Sequence, residues 1–174
     1  MAKQMKTIAI WSFLLTLLLV LIYQINAGSI FMTCAITFGT IAYHFWMRLF
    51  VGFIFDLTLK NRVDYHRKWF QVSLLEQRLY KKLKVKKWKG KMPTYDMDVF
   101  DKRKHSWDEI AQAMCQAELV HETIMLLSFV PILAYLWFGA LEVFIITSIL
   151  AAGFDGMFVI IQRFNRSRVI NMIK

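Results

Sequence analysis

The twenty residues from Thr7 to Asn26 carry no charge. At 1.5 Å per residue a helix of that length reaches about 30 Å, the thickness of a bilayer's hydrocarbon core. Within lipid the run must be helical, because no water is present to satisfy the backbone groups that a loop or open strand leaves free. Met1-Ala2-Lys3-Gln4-Met5-Lys6 ahead of it resembles the charged start of a secretory signal, yet the run is too long and lacks a small-x-small cleavage site. It reads as a retained anchor, with Trp11 and Tyr23 near its ends, where amphipathic rings favour the two interfaces.

Three more apolar runs follow. The second begins at Ile30, after the turn Asn26-Ala27-Gly28-Ser29, and stays uncharged through Trp46. Arg48 and Asp56 fall in its later part, so the span is expected to end near Arg48, with Tyr43, His44 and Arg48 marking its cytoplasmic end. Val51 to Leu59 is then expected to lie along the interface as an aromatic-rich continuation. A third run, to about residue 137, contains Pro131, which predicts a kink and a freed carbonyl needing a partner in the bundle. The fourth, Leu141 to Ile161, contains Asp155 within Ala152-Gly153-Phe154-Asp155-Gly156, a small-xxx-small face for close helix contact. An acid facing lipid costs a few kcal/mol, so Asp155 is expected to face the bundle. The fold class is therefore all-α: one integral membrane domain over residues 1–174, with spans at about 7–26, 30–48, 121–137 and 141–161.

A chain that is 57% hydrophobic but carries a net charge of +10 must keep its charge out of these spans. Fifteen of the 22 Lys and Arg residues lie between Lys60 and Lys104, within a basic segment of about residues 60–115. They are interleaved with Tyr65, Trp69, Phe70 and Trp88, and Leu75, Leu79 and Leu83 repeat at helical spacing, so the segment reads as amphipathic rather than disordered. Lys91-Met92-Pro93-Thr94-Tyr95-Asp96 breaks it. Ser106-Trp107-Asp108-Glu109 has the form of a capping box opening a helix that runs on into the third span. The chain closes on the cationic stretch Gln162-Arg163-Phe164-Asn165-Arg166-Ser167-Arg168. Every cation lies on one side of a four-span arrangement, so both termini and the basic segment are expected to be cytoplasmic. No nucleic-acid partner is expected; the oligomeric state is left open.

The residues most suggestive of chemistry sit at the mouth of the third span, in Cys115-Gln116-Ala117-Glu118-Leu119-Val120-His121. Glu118 and His121 are three apart on a helix and share a face, with Gln116 turned elsewhere. A carboxylate holding one imidazole nitrogen while the other faces a reacting hydroxyl is the base and orienter of many acyl-transfer sites. The plainer reading is a polar helix start anchored among headgroups. Cys115 as an acyl-carrying nucleophile is disfavoured, because it lies about 120° round the helix from His121. A metal site is not expected: the Glu-x-x-His pattern occurs once where a di-metal bundle needs it twice, and Cys34 and Cys115 form no paired spacing.

Trp69-Phe70, Lys86-Lys87-Trp88-Lys89, Ala117-Glu118-Leu119-Val120-His121 and Gln162 to Arg168 resemble, in order and rough spacing, the glycosyl-4,4'-diaponeurosporenoate acyltransferases. That resemblance covers roughly residues 65 to 168. It implies a bacterial cell-membrane enzyme that attaches a fatty acyl chain to a sugar hydroxyl of a carotenoid glycoside. On this reading the chain is an O-acyltransferase working at the cytoplasmic face, without a cofactor. The donor is a fatty acyl thioester, on coenzyme A or an acyl carrier protein, and the acceptor a lipid-linked sugar. His121 is the expected base and Glu118 its orienter. Substrate contacts are expected from His44, Arg48, Trp69, Lys86, Lys87, Trp88, Lys89, Asp155, Gln162, Arg163, Asn165 and Arg166. Arg48, Arg163 or Arg166 would steady an oxyanion or a phosphate, and the lysines would attract an acidic donor. The competing reading is a four-span scaffold whose basic segment binds anionic membrane lipid or a partner.

Overall fold

The computed structural model describes residues 2–94 and 98–173, and every regular element among them is helical. Helices α1 (Ala2–Asn26) and α2 (Ser29–Leu59) pack as an antiparallel pair. Two short helices follow in the basic segment, α3 (Leu74–Lys82) and α4 (Val85–Trp88). Helix α5 (Trp107–Leu127) then leads through a 3-10 turn, Val130–Ala134, to α6 (Tyr135–Phe138), and α7 (Leu141–Ile173) returns along α5. Four helical stretches are long and apolar enough to cross a membrane: Lys3–Asn26, Ser29–Leu59, Trp107–Phe138 and Leu141–Ile173. The chain is thus a multi-pass membrane protein. Contacts between α2 and α5 join the two helix pairs.

The helix does not end at Arg48, the predicted limit of the second span. Helix α2 continues unbroken to Leu59 because the Arg48 guanidinium finds the Asp155 carboxylate inside the bundle, so its charge has no need to leave the helix axis for water. It stops where Lys60 and Asn61 take left-handed φ values of 50° and 57°. The turn is pinned from across the bundle. The Gln116 side chain accepts from the Asn61 backbone N–H at 2.7 Å and donates to Asp56 at 2.8 Å.

The capping box at Ser106 and Glu109 is formed. Ser106 N–H donates to the Glu109 carboxylate at 2.8 Å and Glu109 N–H to the Ser106 hydroxyl at 3.3 Å. From there α5 is continuous through residue 115, so the last part of the predicted basic segment belongs to the membrane helix. Pro131 has no N–H to give Leu127, four residues earlier. The Tyr43 hydroxyl, from α2, donates to the freed Leu127 carbonyl at 2.8 Å. Lys91 closes a 3-10 turn ahead of Met92-Pro93-Thr94, while Tyr95 and Asp96 of the predicted break lie outside the described residues.

Helix α7 also outruns its predicted end at Ile161, and Gln162 to Arg168 are turns of that helix rather than a tail. Its extension is held by a core on the basic side of the bundle, where Val63, Tyr65 and Phe70 pack on Ile110, Ala111, Met114, Cys115 and Val169. The basic segment is therefore folded onto the ends of α5 and α7. Cys115 is fully buried in that core, which removes it as an accessible nucleophile.

Candidate active site

Two polar clusters sit one helical turn apart between α5 and α7. In the first, His121 Nδ1 lies 2.8 Å from Asp155 Oδ1, and the Arg48 guanidinium donates to Oδ2 of the same carboxylate. Asp155 is 1% exposed and comes from the middle of α7, where the small residues Gly153 and Gly156 flank it. An ionised carboxylate only accepts, so the imidazole proton lies on Nδ1 and the Nε2 lone pair is left outward. The imidazole stacks on Phe158, with ring centroids 4.6 Å apart and planes 8° from parallel. Its side chain is 22% exposed. No protein group among the described residues bonds Nε2. Asp155 thus fixes both the tautomer and the plane of a histidine whose second nitrogen is open, the arrangement that makes imidazole a general base toward a hydroxyl.

This is a correction to the predicted pairing. Glu118 does not orient His121, although both lie on the α7-facing side of α5. Its two oxygens are taken instead by Arg163 and Arg166, seven and four residues short of α7's last turn. Arg166 is fully buried, also donates to the Phe70 carbonyl at 2.8 Å, and stacks over the Phe70 ring at 5.0 Å. Arg163 additionally donates to Glu76 at 2.8 Å, the Trp69 carbonyl at 2.9 Å and the Gln71 carbonyl at 3.2 Å. Both arginines thus clamp the chain around residues 69–76 onto the ends of α5 and α7. Apart from Arg166 Nε, which is buried without a partner, their donors face protein acceptors, and Arg48 is the arginine at the histidine.

The other predicted contact residues lie around these clusters. His44 is one turn from Arg48 on α2 and buried, with neither ring nitrogen partnered, and its carbonyl accepts from Arg48 at 3.1 Å. Trp69 is largely exposed and donates its indole N–H to Glu122 at 3.0 Å. Between them, Trp69, Glu122, Leu119 and the chain from Leu59 to Arg67 line a cavity of about 300 Å³. Lys89 donates to the Asn165 amide oxygen and lies over the Phe164 ring at 5.1 Å. Burial first, then the neighbouring charges of Arg168 and Lys86, lowers its affinity for a proton. Lys86 and Lys87 are exposed, Trp88 donates to the Leu83 carbonyl at 3.0 Å, and Gln162 is half-buried beside Arg163. The structure therefore gathers His121, Asp155, Arg48 and His44 at one point, and Arg163, Arg166 and Trp69 at another. The cluster of Lys86 to Lys89 lies apart from both.

Glu76 and Gln71 were not singled out by sequence, and Tyr43 was expected only to mark the end of the second span. Glu76 alone had a readable signal, since Ser73-Leu74-Leu75-Glu76 has the capping-box spacing and forms one: Ser73 N–H donates to Glu76 at 2.8 Å and Glu76 N–H to the Ser73 hydroxyl at 3.2 Å.

The family model of glycosyl-4,4'-diaponeurosporenoate acyltransferase matches residues 66–174. The chain belongs to this family. No curated protein and no solved structure matches it. As an acyltransferase of carotenoid glycoside modification, it needs a group that accepts a hydroxyl proton, and the matched region contains His121, Asp155 and the whole Glu118 clamp. Arg48 and His44 come from α2, outside the matched residues, and reach the site only through the tertiary fold.

Proposed function

We propose that this acyltransferase moves a fatty acyl chain from a thioester to a sugar hydroxyl of a lipid-linked glycoside, at the cytoplasmic face of the membrane. The observation that carries this reading is the Asp155-held His121 with its Nε2 unbonded. Nε2 takes the hydroxyl proton as the oxygen attacks the thioester carbonyl. The tetrahedral intermediate then expels the thiolate, which leaves as a thiol with the proton returned by His121, and an ester is formed. Arg48 pairs with Asp155 and supplies the positive charge closest to a developing oxyanion. The donor is a coenzyme A or acyl carrier protein thioester, drawn to the basic side by Lys86, Lys87 and Lys89. The inside placement rests on the concentration of cations at one end of the spans.

The test is transfer of a labelled acyl group from acyl-CoA to an alkyl glycoside by purified protein, expressed per mole of folded enzyme. His121→Ala should lower turnover by about 10²–10⁴-fold, the usual contribution of a general base. Full activity in His121→Gln, which keeps polarity but accepts no proton, would remove the assignment.

A further inference from the structure

Helix α3 carries a surface that acyl transfer leaves unexplained. The Ser73 and Glu76 capping box fixes its start, so nine residues stay helical within a strongly cationic stretch. Glu76 and Tyr80 face α7, the first through Arg163 and the second through an edge contact with Phe164, ring centroids 6.1 Å apart. At about 100° per residue, Leu75 and Leu79 lie roughly a quarter turn to one side of that packing face, and Gln77 and Lys81 roughly a quarter turn to the other. Leu75, Leu79 and, just beyond the helix, Leu83 are 73%, 47% and 43% exposed. Isolated exposed leucines are ordinary, but an i, i+4, i+8 stripe of them on a pre-formed helix is an interaction surface.

Its height points to the occupant. Arg163, which holds Glu76, lies 22 residues beyond Leu141 on α7, about 33 Å along the axis, where a core about 30 Å thick gives way to headgroups. Charge agrees with height: Arg78, Lys82, Lys84, Lys86 and Lys87 are all exposed around the stripe. Long basic side chains beside an apolar stripe reach up to headgroups while their stems stay in lipid. We propose that α3 lies along the leaflet on the basic side, with Leu75, Leu79 and Leu83 among the acyl chains and the flanking cations on anionic lipid headgroups. The helix then holds the Glu118 clamp, and through it the end of α5 near His121, at a fixed depth. This goes beyond the acyl-transfer reading and does not depend on it, because depth is measured without turnover.

The experiment places a nitroxide at Leu79→Cys, and separately at Lys81→Cys, in full-length protein carrying Cys34→Ala, with Cys115 left in its buried site. In vesicles of phosphatidylcholine and phosphatidylglycerol, the Leu79 label should collide preferentially with oxygen and the Lys81 label with a water-soluble nickel complex. Leu83→Cys should repeat the Leu79 result, which guards against one variant misfolding. In phosphatidylcholine alone the Leu79 label should move outward. Equal nickel access at Leu79 and Lys81 in the mixed vesicles would overturn the proposal. So would a Leu79 label that stays in water until an acidic acyl carrier protein is added, since a protein would then be the occupant. Equal depth with and without phosphatidylglycerol would overturn the headgroup contact.

Discussion

His121 and Glu118 stand three residues apart on α5, both turned to α7, and the two sites they form differ in how completely they are satisfied. Around Glu118 both carboxylate oxygens meet guanidinium groups, and the arginines bond further carbonyls of the overlying chain. Around His121 the inner nitrogen is held by Asp155 and the outer one is left open. Burying a charge is costly unless partners surround it, so the closed cluster acts as a clamp for the fold. A half-satisfied, partly exposed imidazole gives little to stability and keeps one ring nitrogen accessible. On the proposed function, two polar residues one turn apart on one helix divide into structure and chemistry according to what the neighbouring helix supplies.

The contrast predicts opposite failures. Asp155→Asn leaves an amide that can hold the wrong tautomer of His121, and should lower kcat by about 10²–10⁴-fold with the acceptor KM little changed, because Asp155 positions the base without touching substrate. An equal fall in kcat/KM through KM alone would make Asp155 a substrate contact and dissolve the distinction.

Glu118→Ala should act on the fold instead. It leaves Arg166 fully buried without a counter-charge, which costs about 3–5 kcal/mol for a buried pair broken on one side. The readout is the thermal midpoint in detergent and the yield of inserted protein. Glu118→Gln, whose single amide oxygen can still accept from one of the arginines, should recover part of that stability. If Glu118→Gln melts normally but loses turnover per folded molecule, Glu118 belongs to the chemistry and the clamp reading fails.

The smallest effect should come from Glu76, at the exposed rim of the clamp. Burial pushes its carboxyl up, but hydrogen bonds from the Ser73 N–H and Arg163 outweigh that and hold it below the usual carboxylate range. A folded pKa below the unfolded one contributes stability that is present at neutral pH and lost as pH falls through the folded value. Acid should therefore loosen α3 before the bundle opens, seen as faster proteolysis between residues 74 and 91. Glu76→Gln should remove that step, and a step that persists in the variant would assign it elsewhere. The Tyr80 phenol donates to Glu76 at 3.2 Å and, pushed up to about 12 by burial and then by Glu76, stays protonated throughout.

Much of the architecture was legible because it rests on local rules. Uncharged runs of bilayer length give spans, the Ser106 and Glu109 spacing gives a cap, and Pro131 gives a break with an orphaned carbonyl. The helical continuations of α2 and α7 beyond Arg48 and Ile161 were not legible for a single reason. Arg48, Arg163 and Arg166 look in one dimension like signals that a helix ends, and each is neutralised by an acid from a helix distant in sequence. The same ambiguity blurred the site, since Glu118 three residues before His121 was its natural partner when only helical spacing was available.

The sequence by itself determined that this chain crosses a membrane four times, concentrates its cations at one end of those spans, and carries His121 and Asp155 inside or beside them, because hydropathy and charge act residue by residue. Tertiary structure decided which acid holds which base. His121 and Asp155 are 34 residues apart and Arg48 and Asp155 are 107 apart, and no helical periodicity relates positions on different helices. Packing α7 against α5 brings Asp155 level with His121 and leaves Glu118 opposite two arginines, so the open histidine and the closed clamp arise from the register of one helix pair.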